Sequence, residues 1–243
     1  MPKRKYKIAD KVIEVSSIHE LVHEYCKEYI TDEAPDFSVT ITPEDIALEK
    51  QKSDSEYAYE GLPLPNFSDE LLEETAVYRK IAEVMPDYDT LVFHGSVIAV
   101  DGEGYLFTAK SGTGKSTHTR LWREYFGERA VMVNDDKPML KITDSGVVAY
   151  GTPYNGKHGL GTNIAVPLKA ICILTRAAEN HIEPITREQA YSMLLQQSYR
   201  PANSEKLMKT LALTDRLADG VKLYQLGCNM DIEAAKVAYE GML

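Results

Sequence analysis

Basic residues are in deficit. Against 37 Asp and Glu stand only 27 Lys and Arg, a formal net charge of −10 over 243 residues. Such a surface repels a phosphate backbone, so nucleic acid is not an expected partner. Cysteine is equally scarce. Cys26, Cys172 and Cys228 are odd in number, far apart and in no C-x-x-C spacing, which excludes a disulfide scaffold, argues against structural zinc and fits reduced thiols. Long apolar runs are missing as well. Nothing approaches the roughly 18 residues of a membrane span, and the basic start Met1-Pro2-Lys3-Arg4-Lys5 has no apolar stretch behind it. Neither a membrane span nor a signal peptide is therefore expected, and a cytoplasmic location is. Repeats and low-complexity tracts are also lacking, and a composition 44% hydrophobic and 26% charged excludes collagenous and disordered classes. What remains is an ordinary globular chain, long enough for one sizeable core with an appended subdomain.

The texture changes near residue 75, which predicts an accessory α+β subdomain over residues 1–75 and a main core over 76–243. In the first part, Tyr6 to Val15 and Phe37 to Thr42 have the near-alternation of strands, and Ile18 to Tyr29 has helical spacing. Glu44 to Phe67, charged and then rich in Gly and Pro, reads as a loop or linker. Ser68 then caps a helix of about 17 residues. From Asp89 the chain becomes strand-dense. Ser96 to Val100 and Tyr105 to Thr108, separated by Asp101-Gly-Glu-Gly104, read as an antiparallel hairpin. A helix from Ser116 to Phe126 and a strand from Ala130 to Val133 follow. Next come a second hairpin (Met139–Thr143 with Val147–Tyr150), a buried strand at Lys169–Leu174 and a capping-box helix opening at Thr186. A helix over Ser204–Leu217, a strand over Val221–Leu226 and a last helix from Asp231 complete the pattern.

The sharpest signal is Ala109-Lys-Ser-Gly-Thr-Gly-Lys-Ser116 between a strand and a helix. Glycines let successive backbone N–H groups turn inward around phosphate oxygens, and a helix N-terminus adds partial positive charge. Ser111, Gly112, Thr113, Gly114, Lys115, Ser116 and Thr117 are thus candidate phosphate-binding residues. Lys115 would neutralise the β and γ phosphates, and the Ser116 hydroxyl would take Mg²⁺. The strict pattern has glycine where this chain has Ala109. Asp135 and Asp136 end the following strand, where a nucleotide site needs a carboxylate for metal and a base for an incoming hydroxyl. On an extended strand the two point to opposite faces; a turn would let both point inward. Gly151-Thr-Pro-Tyr-Asn-Gly-Lys-His158, with Gly159 and Gly161 after it, forms a glycine-rich loop in which Lys157 is a candidate phosphate contact and His158 a lesser one. Arg200 is a candidate source of transition-state charge. Arg120 and Arg123, one turn apart, are expected to face solvent, and Trp122 and Phe126 to face the core.

His94-Gly95, an antiparallel hairpin, Ser-Gly-Thr-Gly-Lys-Ser and a strand ending Asp-Asp together resemble the nucleotide core shared by HPr kinase/phosphorylases and phosphoenolpyruvate (PEP) carboxykinases, over about residues 91–175. The resemblance implies an α/β fold: a PEP carboxykinase-like mixed β-sheet nucleotide-binding core with flanking helices, plus the small N-terminal α+β subdomain. It also implies that His94, Lys115, Ser116, Asp135 and Asp136 surround the nucleotide, metal and transferred phosphoryl group. His94, Lys115, Asp135 and Asp136 are then catalytic, and Ser116, Asp135 and Asp136 are metal ligands. Which aspartate is the base stays open. The implied cofactors are ATP, or another nucleoside phosphate, and Mg²⁺. The implied activity is transfer of the γ-phosphoryl to a hydroxyl-bearing acceptor, a serine of a protein or peptide or a small molecule, with oligomerisation open. The alternatives are a nucleotide-responsive regulatory module without catalysis and a PEP carboxykinase-type enzyme. An all-parallel P-loop NTPase is disfavoured by the hairpin that feeds the loop.

Overall fold

The computed structural model describes residues 1–156 and 158–243. Two compact units make up the chain, Met1–Glu83 and Val84–Leu243.

In the first unit, β1 (Lys3–Ile8) and β2 (Lys11–Ser16) form an antiparallel hairpin around Ala9 and Asp10. The short helix α1 (Leu21–Tyr25) follows, and β3 (Phe37–Thr40) then pairs parallel to β2. The helical spacing read over Ile18 to Tyr29 therefore yields only five α-helical residues and a 3₁₀ turn at Lys27–Tyr29. Two helices complete the unit, α2 (Pro43–Tyr59) and α3 (Asp69–Val84). The first of these corrects the reading of Glu44 to Phe67 as a loop or linker. Of α2's residues only Ile46 and Glu49 are buried, so the sequence shows no apolar stripe there. The helix rests instead on its start and its polar pairs. Pro43 occupies the first turn, the Thr42 N–H donates to Asp45 Oδ2 at 2.8 Å, and Lys50 pairs with Asp54 one turn on. Arg79 of α3 donates to both carboxylate oxygens of buried Glu49, at 2.6 and 2.8 Å.

The second unit is built on a nine-stranded mixed sheet. Its strands in chain order are β4 (Thr90–Val92), β5 (Ser96–Val100), β6 (Glu103–Thr108), β7 (Ala130–Asn134), β8 (Met139–Thr143), β9 (Gly146–Tyr150), β10 (Ala165–Arg176), β11 (His181–Pro184) and β12 (Lys222–Cys228). The main path runs β4-β8-β9-β10-β6-β5-β7. β10 is the pivot: it pairs antiparallel with β9 through Ala165–Pro167, and parallel with both β6 and β12 farther along. The β5–β6 hairpin is antiparallel as expected, which removes the all-parallel NTPase reading. It turns more tightly than a four-residue loop, because Asp101 and Gly102 both adopt positive φ and Glu103 already belongs to β6. β11 was not anticipated; it lies antiparallel on β12 with only one half-buried apolar side chain, Ile182.

Alternation along the strands splits the core in two. Val97, Leu106, Ile171 and Ile173 face one layer with α5 (Arg187–Gln197) and α6 (Ser204–Gly220), which supply Leu194, Leu213 and Leu217. Ile98, Tyr105, Phe107 and Cys172 face the other, against α4 (Lys115–Phe126) and α7 (Glu233–Met242). Trp122 of α4, fully buried, is ringed by Tyr105, Phe107, Phe126 and Tyr239 at centroid distances of 5.0–5.9 Å. The fold is thus mixed α/β, with helices flanking both faces of the sheet. Among the described residues no helix is long and apolar enough to cross a membrane.

His118, one turn before Trp122, accepts from the indole Nε1–H at 3.0 Å. Burial alone drives its pKa down to about 3. The unfolded imidazole titrates near 6.5, so between the two values the unfolded chain binds the extra proton and stability falls as pH drops. The His118→Gln variant should therefore show a slope of unfolding free energy against pH, over pH 4 to 6.5, shallower than wild type by about 1.4 kcal/mol per unit. Denaturant titrations at a series of pH values measure it, and identical slopes would refute the assignment.

Candidate functional site

β6 delivers the chain into the glycine loop, and α4 takes it up at Lys115. Gly112 (φ 74°) and Gly114 (φ 128°) hold backbone conformations that side-chain-bearing residues rarely adopt, although space for a Cβ exists at both. Ala109 needs no such freedom. Its φ is not positive, and it is fully buried in the core layer that holds Phe107 and Trp122, so its methyl is a packing group. The loop is tied from both sides. Thr113 donates through its N–H and its Oγ1 to the Lys110 carbonyl, at 3.2 and 2.8 Å. Arg176, at the end of β10, donates to the carbonyls of Gly112 (2.6 Å) and Thr113 (3.4 Å). Sequence reasoning missed Arg176; an arginine ending an apolar strand carries no local signal of where its guanidinium goes.

Lys115, Asp136, Lys137 and His94 form a charged group beside the loop. His94 Nε2 lies 3.2 Å from Asp136 Oδ1, and Lys137 Nζ lies 3.4 Å from Oδ2. His94 is fixed at both backbone ends, its N–H donating to Gln197 O at 2.7 Å and its carbonyl accepting from Thr108 Oγ1 at 3.1 Å; the next residue, Gly95, donates to the Asp136 carbonyl. Burial raises the Asp136 carboxyl, but the His94 and Lys137 partners outweigh it and hold the pKa below the ordinary value. Burial lowers the Lys115 ammonium and neighbouring Lys137 adds to that, while Asp136 opposes both.

The aspartates sit on a bend, not an extended strand, and Asn134 makes the bend. Its Oδ1 accepts from the N–H groups of Asp136 (2.9 Å) and Lys137 (2.6 Å). Its Nδ2 donates to Thr152 Oγ1 and Asn155 Oδ1, both at 3.0 Å, and to the Thr152 carbonyl at 3.2 Å. One fully buried carboxamide thus shapes both the aspartate turn and the Gly151 loop. Asp135 is buried, and its Oδ1 accepts from the Gly156 N–H at 2.6 Å. An asparagine immediately before a charged turn is an Asx-turn signature, so this residue was findable from sequence.

Two cavities flank the glycine loop. One of about 440 Å³ is lined by Ser116, Thr117, Thr119, Arg120, Arg123, Asp135, His158 and Leu160. The other, about 480 Å³, lies against Gly112, Thr113, Gly114, Thr117 and His118 on one side and Arg176, Ala177, Cys228, Asn229 and Met230 on the other. Thr117 borders both. Ser111 is exposed at the loop tip. Arg200 is exposed after α5. Lys157 lies outside the described residues. Arg123, expected to face solvent, is half-buried and lines the first cavity; exposed Arg120 joins it there.

Residues 62–230 match the family described as "SynChlorMet cassette protein ScmC". Among solved structures the chain is similar to an HPr(Ser) kinase/phosphatase from Coxiella burnetii, with 10% sequence identity and a TM-score of 0.36 over 61% of this chain and 94% of that one. That likeness is too slight to assign a reaction. No curated protein matches the sequence.

Asn134→Ala removes bonds to both loops and leaves buried N–H groups unsatisfied, so it should cost on the order of 2–4 kcal/mol. Chemical denaturation of wild type and variant measures this; a loss below about 0.5 kcal/mol, the usual range of a neutral surface change, would deny Asn134 its organising role.

Proposed function

The chain belongs to the ScmC family, and we propose that it is a phosphotransferase with a PEP carboxykinase-like nucleotide core, similar in action to HPr kinases. It moves the γ-phosphoryl of ATP, or of another nucleoside triphosphate, to a hydroxyl on a protein, a peptide or a small molecule. The observation that carries this reading is the meeting of Lys115, Asp136 and His94 beside the glycine loop, with Ser116 and Asp135 on one cavity wall.

The triphosphate lies along the loop, with its charge taken by the first amides of α4 and by Lys115. The nucleoside extends into the 480 Å³ cavity toward Ala177, Cys228 and Met230. Among the described residues no three or more His, Cys, Asp or Glu gather into a metal cage. A Mg²⁺ arriving with triphosphate needs only one or two carboxylates and a hydroxyl, and Ser116 with the aspartate pair fits that donor set. When bound, Mg²⁺ would supply charge neutralisation at the phosphate oxygens, which a chain of net charge −10 cannot otherwise spare beside two aspartates.

The two aspartates divide the work. Asp136 is held ionised by His94 and Lys137, which makes it a weak base and a fixed counter-charge for Lys115. Asp135, whose carboxylate accepts from the Gly156 N–H and which borders the cavity with Ser116, accepts the proton of the attacking hydroxyl. His94 orients Asp136 and does not itself meet the acceptor.

Transfer of label from γ-labelled ATP to acceptors in a cell extract tests the proposal. Lys115→Ala should abolish transfer, and Asp135→Asn should lower turnover by about 10²- to 10⁴-fold with affinity for nucleotide measured without Mg²⁺ little changed. Equal labelling by wild type and Lys115→Ala would remove the kinase reading.

A further inference from the structure

Ser116, Thr119, Arg120 and Arg123 recur along α4 at i, i+3, i+4 and i+7, so they share one face, adjoining the face that buries Trp122. All four line the 440 Å³ cavity, and Asp135 closes the same space. The reacting groups thus stand at one end of a pocket whose other end carries two guanidinium groups. Arg120 is steered by Glu124, which accepts from its Nη1 at 2.5 Å. The Arg123 Nε is shut off from solvent and has no hydrogen-bond partner, an unusual state for a charged donor. Two arginines lining one cavity, one of them with a buried donor left unbonded, give the pocket an anion-binding end in a chain with ten excess negative charges.

We propose that this cavity is the acceptor site, and that Arg123, with Arg120, binds a carboxylate or phosphate carried by the acceptor close to its reacting hydroxyl. The helix rise fixes the scale. Seven residues separate Ser116 from Arg123, about 10 Å along the axis, and an arginine side chain on a helix leans back toward the N-terminus, shortening the span. Hydroxyl and anion therefore lie only a few bonds apart on the acceptor. Arginine's planar fork suits either oxyanion, so the pocket selects small hydroxy acids, phosphorylated alcohols, or a residue bearing both groups. This rests on the phosphotransferase reading for the role of Asp135, but the anion subsite stands on the cavity itself.

The test is calorimetric titration of the whole chain saturated with Mg²⁺ and a non-hydrolysable ATP analogue, which fills the glycine loop. Inorganic phosphate, glycerate and glycerol are the probes. Phosphate or glycerate should bind at least about tenfold more tightly than glycerol, and the Arg120→Gln/Arg123→Gln variant should lose that advantage while its nucleotide affinity stays within about threefold. Arg123→Lys, which keeps the charge but not the fork, serves if the double variant fails to fold and should lose part of the advantage. Preference for phosphate over glycerate marks a phosphorylated acceptor, and the reverse marks a carboxylate. Equal binding of all three probes, or a loss that falls on the nucleotide instead, overturns the proposal. Arginine-dependent anion binding in a chain that binds no nucleotide would sink the phosphotransferase reading and leave the subsite standing.

Discussion

The carboxamide of Asn134 joins two segments, the aspartate turn and the Gly151 loop, through one buried side chain. On its oxygen side it bends the chain so that Asp135 and Asp136 leave the strand in different directions. On its nitrogen side it draws in Thr152, Tyr154 and Asn155. Buried polar groups of this kind are stabilising only when satisfied, and here one side chain satisfies backbone groups in two loops at once. The Gly151 loop has little freedom to settle elsewhere. A Cβ at Gly151 would stand 1.9 Å from the Thr162 carbonyl, so only glycine permits that approach. The acidic turn and the loop facing it are consequently one object.

That object meets the glycine loop through charge. Lys115 is drawn partly out of water and balanced by Asp136, which is balanced in turn by His94 and Lys137. On the phosphotransferase reading proposed above, a triphosphate would meet charges already in place, with little reorganisation left to do. From the far side Arg176 pins the loop by its carbonyls, leaving its amides to set the concave surface. Adjacent carboxylates thus have different surroundings, Asp136 between His94 and Lys137 and Asp135 at the cavity wall.

Much of the second unit was legible in the chain. The hairpin before the loop, the helix after it, the capping box at Thr186 and the buried strand of β10 each follow from alternation, spacing or cap chemistry. The misreadings share one cause. α2 buries almost nothing apolar, so hydrophobic periodicity could not reveal it, while its capping residues and helix-forming composition could have. β11 exposes most of its side chains and owes its existence to the edge of β12. Arg123 follows the spacing of a solvent-facing position, yet it is half-buried, with its Nε shut off from solvent, and lines a cavity.

Residue types and their spacing along the chain determined the glycine loop, the hydroxyl and lysine that follow it, the acidic pair and the antiparallel hairpin that precedes them, because these depend on neighbours a few positions apart. Tertiary structure alone decided which of them cooperate. Arg176 reaches Gly112 across 64 positions, Gly156 reaches Asp135 across 21, and Ser96 holds the Asp135 carbonyl across 39. Such pairings arise from the order in which strands lie in the sheet, with β10 beside β6 and β5 beside β7. That order is set by how two core layers fill, a property of the whole chain that no short stretch of it encodes.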